Sequence, residues 1–130
     1  MSKHQKTICI DFDGVIHSYT SGWQGASTIP DPIVEGAIAF MLGLLAADYE
    51  VAIFSTRSLS AGGLPAMRSW LKKEAGNTWF PTPDGPGLES VKFPMEKPPA
   101  IMYLDDRAVY FTGTFPSIDF VREFRTWQGK

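Results

Sequence analysis

The sequence predicts an α/β domain: a three-layer α/β/α sandwich around a mostly parallel sheet. Three observations carry that expectation. Short apolar runs alternate with segments of helical periodicity, the pattern of strands joined by crossover helices. The runs lack polar alternation, as strands covered on both faces do. Each of the three strong runs ends in polar residues: Asp11 and Asp13, then Ser55-Thr56-Arg57, then Asp105-Asp106. In open parallel sheets reactive groups gather beyond the carboxyl ends of the strands, so these clusters are expected to meet in one crevice.

The elements follow in order. Thr7 to Phe12 reads as the first strand. Residues 14–30, rich in Gly, Ser and Thr, read as a flap-like loop or small hairpin carrying Trp23. Asp31-Pro32 is a strong helix start, with Asp as N-cap and Pro at the first helical position. From there Ile33, Ala37, Phe40, Met41, Leu44 and Leu45 keep helical spacing to about Asp48. Val51 to Phe54 is the second strand, and a second helix is expected from Pro65 to Ala75, stopped by Gly76. Five prolines between Pro81 and Pro98 break regular structure. Ala100 to Leu104 is the third strand, and Val109 to Phe111 is a candidate fourth. Ser117 is placed to cap a last helix whose Phe120, Val121, Phe124 and Trp127 form one apolar face.

A chain of 130 residues is expected to be one domain, residues 1–130, with residues 1–6 a mobile tail. The formal net charge of −2 argues against a strong duplex nucleic-acid surface. The longest apolar run, Ala37 to Ala47, is too short to span a bilayer, and the polar start does not resemble a signal peptide. No membrane partner and a cytoplasmic, reducing location are the expectation. Cys9 stands alone inside the first apolar run and reads as a small buried hydrophobe.

The chemistry lies in the strand ends. Four carboxylates brought together repel one another unless a cation sits between them, and hard oxygen donors select Mg²⁺. Asp11 and Asp13, two residues apart on a strand, share a face, and Gly14 lets the backbone turn sharply behind them. A carboxylate beside bound Mg²⁺ can attack a phosphoryl group and form an aspartyl-phosphate. A second carboxylate can protonate the leaving oxygen and then activate water. Hydroxyls at Ser55 and Thr56 and a lysine would surround the phosphoryl oxygens. Lys97 abuts the third strand and is preferred to Lys92, five residues earlier.

These segments resemble a known family. "DFDGVI" is similar to the first motif of the haloacid dehalogenase (HAD) superfamily, Asp-x-Asp-Gly at the end of a first strand. "VAIFS" is similar to its second motif, and "KPPAIMYLDD" to its third and fourth run together. The ordered set spans residues 7–106. The resemblance implies a Rossmann-like, HAD-type sheet and a Mg²⁺-dependent phosphomonoester hydrolase acting on a phosphorylated substrate. It implies Asp11 as nucleophile and Mg²⁺ ligand, and Asp13 as general acid/base lending Mg²⁺ its main-chain carbonyl. Ser55 would hydrogen-bond the phosphoryl oxygens, Lys97 would offset charge, and Asp105 and Asp106 would complete the metal shell. Gly14, Thr56 and Arg57 fall where substrate would be met, although Arg57 and Arg107 are better read as partners of nearby carboxylates. The dehalogenases proper lack the second aspartate, so Asp13 favours phosphatase chemistry.

Only 41 residues separate Asp13 from Ser55, and 41 separate Ser55 from Lys97, too few in either gap for a folded cap domain. An open site suits a bulky substrate, such as a nucleic-acid end, a phosphoprotein or a sugar conjugate, or a second copy of the chain covering it as a homo-oligomer. "STR" and "DDR" bear a finer likeness to polynucleotide 3′-phosphatase domains. Two other readings stand beside the hydrolase. A phospho-receiver signalling module also joins an acidic pair, a hydroxyl and a lysine, but its phosphorylated aspartate ends a middle strand where this chain has Phe54-Ser55. A HAD-like binding protein without catalysis is the other, and phosphotransfer shares the covalent step. His17 reads as an exposed loop residue, and Trp23 as a residue folded over the sheet edge or a lid aromatic.

Overall fold

The computed structural model describes residues 6–129, so the expected tail lies outside the described residues except for Lys6. Three strands form one open, all-parallel sheet in the order β2-β1-β3: β1 (Thr7–Ile10), β2 (Glu50–Ile53) and β3 (Met102–Leu104). The α/β class expected from the apolar runs is thus present. β1 lies in the centre, pairing Ile8 with Val51 on one side and with Met102 on the other. Every residue of β1 is buried, which is why its sequence shows no polar alternation.

Helix α1 (Ala37–Ala46) follows Gly36 rather than starting at Asp31-Pro32. The Asp31 carboxylate accepts hydrogen bonds from the backbone N–H and hydroxyl of Ser21, so it is not available to cap a helix. The Ser18 N–H donates to the Pro32 carbonyl, and His17 forms an antiparallel bridge with Ile33. Residues 31–34 are thereby drawn out as the far side of the 14–30 loop. That loop is accordingly not a hairpin of two strands. Helix α2 (Gly63–Ala75) agrees with its apolar periodicity, burying Met67, Leu71 and Ala75 at intervals of one turn. The irregular stretch after it is not idle. Lys92 extends the ladder on the outer edge of β2, its N–H donating to Val51 and its carbonyl accepting from Ile53.

The core lies between α1, β1, β2 and α2, where Ile10, Phe12, Ile53, Met67 and Leu71 are almost fully buried. Leu88 and Val91 still belong to it, but no described residue from 100 onward does. Val109 to Phe111 forms no strand, and no other strand pairs with the outer edge of β3 among the described residues. Helix α3 (Ile118–Glu123) is capped by the Ser117 hydroxyl, as its sequence predicts, yet it buries no residue. Amphipathic spacing supplied a face and the fold supplied nothing for it to cover. The chain is tied back near its end, where Thr126 is buried and the indole N–H of the largely exposed Trp127 donates to the Gly14 carbonyl at 2.7 Å.

This division is measurable by urea unfolding. Leu71→Ala removes a fully buried side chain and should destabilise the fold by about 2–5 kcal/mol. Val121→Ala, on the uncovered α3, should change stability by no more than about 0.5 kcal/mol. A large loss at Val121 would mean that α3 packs against the body in solution.

Candidate functional site

The central strand ends in a tight turn. The Phe12 side chain is wholly buried, and its carbonyl accepts from the N–H groups of Val15, Ile16 and His17. Gly14 closes the turn at a φ of +86°, where residues with a Cβ are strained. A Cβ there would also collide with the Asp106 carboxylate. Glycine therefore lets the fourth acid of the sequence set lie directly against the backbone of the first motif. Gly14, expected where substrate would be met, itself lines a neighbouring apolar groove and not the main cleft.

Asp11 continues the ladder, its N–H donating to the Leu104 carbonyl at 2.9 Å, so the ends of β1 and β3 are locked side by side. This brings Asp11, Asp105 and Asp106 together, each with a carboxylate oxygen within 4.8 Å of the others. Little neutralises them. Asp11 accepts from the Phe12 N–H and Asp105 from the Arg107 N–H, while one buried oxygen of Asp106 has no hydrogen-bond partner. Burial, and then the charge of Asp105, push the Asp11 carboxyl up to about 7. Three converging oxygen donors, one of them orphaned, and a carboxyl that resists ionisation fit a hard divalent cation.

Asp13 stands outside this trio. One of its oxygens meets His17 Nδ1 at 2.8 Å, and the other accepts from Arg57 Nε at 2.8 Å. The four expected carboxylates thus divide into three clustered ones and one held by its own donors. Asp11, Asp13, Ser55, Thr56, Lys97, Asp105 and Asp106 nevertheless all border one cleft of about 340 Å³ at the carboxyl ends of the strands. Ser55 caps a short 3₁₀ turn, Thr56–Leu59, accepting from the Arg57 N–H. Its own hydroxyl hydrogen meets only the Met67 sulfur at 3.9 Å, a weak acceptor. That turn is pressed onto α2 at Gly63, where a Cβ would strike the Arg57 carbonyl. The Lys97 ammonium rests 4.6 Å from the Tyr103 ring centroid at the cleft wall. Lys92 is directed elsewhere, toward Glu50 at 3.3 Å.

Arg57 pairs with a carboxylate, Asp13, as its sequence reading favoured, but it is completely buried and does not line the cleft, so it is not placed to meet substrate. One residue differs outright from its reading. His17, expected to be exposed, is completely buried among Phe12, Tyr19 and Trp70. Its one signal in the sequence is its position four residues after Asp13, which periodicity does not mark. Trp23 is half exposed and lies over the Arg57 guanidinium at 4.9 Å. No helix of the described residues is long and apolar enough to cross a membrane.

Comparison with family models, curated proteins and solved structures returned no match for this chain.

The raised Asp11 carboxyl has a pH consequence. The folded protein holds a proton there up to about 7, whereas an ordinary aspartate loses it near 3.8. Its contribution to stability is full below pH 3.8 and is lost as pH rises through about 7. Metal-free thermal melts should therefore show the wild type losing stability relative to Asp11→Asn across that interval, with added Mg²⁺ restoring it at pH 7.5. Parallel profiles for the two proteins would show that Asp11 is not held in a repulsive cluster.

Proposed function

We propose that this chain is a Mg²⁺-dependent phosphomonoester hydrolase of the HAD superfamily, with that superfamily's three-layer, Rossmann-like arrangement. The observation that carries the reading is the meeting of Asp11, Asp105 and Asp106 at the sheet edge, with Ser55 and Lys97 bordering the same cleft. Asp11, Asp105 and Asp106, with the Asp13 carbonyl, would hold the cation. When bound, the cation supplies charge neutralisation that lets an anionic carboxylate approach an anionic phosphoryl group.

The chain's own groups account for the rest. An Asp11 oxygen attacks phosphorus as the bond from phosphorus to the leaving oxygen breaks, giving an aspartyl-phosphate. Asp13, whose side chain reaches the same cleft, hands the leaving oxygen a proton. It then takes one from the water that attacks phosphorus and frees Asp11. The Ser55 hydroxyl donates to a phosphoryl oxygen, and Lys97 offsets the charge that accumulates. No separate domain covers the cleft among the described residues, which suits a bulky phosphorylated substrate such as a polynucleotide 3′-phosphate.

A screen of phosphorylated metabolites and 3′-phosphorylated oligonucleotides tests this. Phosphate release should require Mg²⁺, stop on chelation, and fall below detection in Asp11→Asn. Activity indifferent to chelator, or retained by that variant, would refute the mechanism. The open edge of β3, with Met102, Tyr103 and Leu104 all exposed, supports a second copy as partner. Sedimentation should then give a dimer that Met102→Glu dissociates; a monomer at every concentration would remove the homo-oligomer from the reading.

A further inference from the structure

His17 touches the acid/base candidate directly, and the polypeptide fixes which of its nitrogens carries the proton. The Asp31 backbone N–H donates to His17 Nε2 at 3.0 Å. A backbone amide can only donate, so Nε2 is the acceptor and the ring proton lies on Nδ1. From Nδ1 it is donated to Asp13 at 2.8 Å. The ring cannot easily turn away. It is fully buried, stacked on Phe12 and met edge-on by Tyr19 and Trp70.

Arg57 holds the other Asp13 oxygen, and its Nη1 donates to the carbonyls of Gly25, Ala26 and Thr28. Each donor that grips Asp13 therefore also grips the 18–31 loop: Arg57 through three carbonyls, His17 through the Asp31 amide. Each engages a different carboxylate oxygen, and an oxygen has two lone pairs. The second lone pair stays available to carry a proton toward the cleft, which Asp13 borders.

We infer that His17 is a positioning residue for Asp13: held as its Nδ1–H tautomer by the Asp31 amide, it sets the carboxyl for proton transfer and ties that setting to the loop. The inference rests on the phosphatase reading and names the residue on which its proton step depends. His17 itself touches no reacting atom. Its effect should follow the proton demand of the leaving group, which a purely structural role would not do. An alkyl phosphate expels a strongly basic alkoxide and needs the proton; 4-nitrophenyl phosphate expels a stable phenolate and does not.

Two near-isosteric variants separate the two hydrogen bonds. His17→Asn keeps a donor where Nδ1–H stands. His17→Gln keeps an acceptor where Nε2 stands but loses the donor to Asp13. Relative to the wild type in Mg²⁺, the readout is kcat/KM, which covers the steps through release of the leaving group and leaves out the water step that both substrates share. His17→Gln should lower kcat/KM for an alkyl phosphate by about 10²-fold, the low end of what a positioned acid contributes. For 4-nitrophenyl phosphate it should fall only a few-fold, and His17→Asn should recover most of the loss. Equal losses on both substrates, or no recovery in His17→Asn, would overturn the positioning role. Long-range ¹H–¹⁵N spectra of the labelled wild type should show His17 protonated on Nδ1; protonation on Nε2 would overturn the assignment without reference to activity. Failure of the wild type to turn over any phosphate would defeat the phosphatase reading and the proton-transfer role together. The tautomer spectrum would still decide the hydrogen-bonded clamp.

Discussion

The buried pairing of Arg57 with Asp13 is the contact around which the rest of the molecule is arranged. A buried guanidinium without a counter-charge is far more costly than a paired one. Here Nε meets a carboxylate at the end of the central strand and Nη1 meets three carbonyls of the following loop, while Nη2 has no hydrogen-bond partner. These contacts fix three things together: the turn after β2, the orientation of Asp13 and the path of residues 25–28. His17 repeats the arrangement from the other side of the same carboxylate. The loop is thus anchored by the two buried residues that hold Asp13, and it lacks the regular pairing that would make it an independent element.

The carboxylate trio obeys the opposite logic. Asp13 is rich in donors and its neighbours are poor in them. Asp11, Asp105 and Asp106 are forced together by the ladder between β1 and β3 and by the missing Cβ at Gly14. Folding alone would not choose that arrangement, since bringing three acids to one point raises the energy of at least one ionised carboxyl. On the proposed reading, the cation would relieve that repulsion at the carboxyl edge of the sheet. The same reading assigns the nucleophile to the frustrated carboxylate environment and the acid/base role to the paired one, two environments that keep the roles distinct in a single cleft.

β3 delivers two acids of the trio, yet it is joined to the sheet on one edge only, and α3 buries none of its residues among the described residues. The open side lies next to the cleft, because Leu104, Asp105 and Asp106 line both the cleft and the apolar groove beside it. Whatever covers that side would also bear on the metal-ligand candidates. Among the described residues, the exposed face of β3 and the open side of the cleft are one continuous region.

Much of this was written locally. The three strands, α2 and the cap of α3 follow from apolar run length, one-turn spacing and a serine in the right place, all properties of a few neighbouring residues. The convergence of the strand-end acids followed as well, since parallel strands must present their carboxyl ends on one side. Tertiary structure decided the remainder. Asp31-Pro32 has every local mark of a helix start, but Ser21 engaged its carboxylate and the helix began five residues later. The stripe of α3 promised burial, and it buries no residue against the described chain. Buried polar residues in loops leave no periodic trace, so His17 and Arg57 became legible only once the fold brought Asp13 and the 18–31 backbone within hydrogen-bonding reach of them.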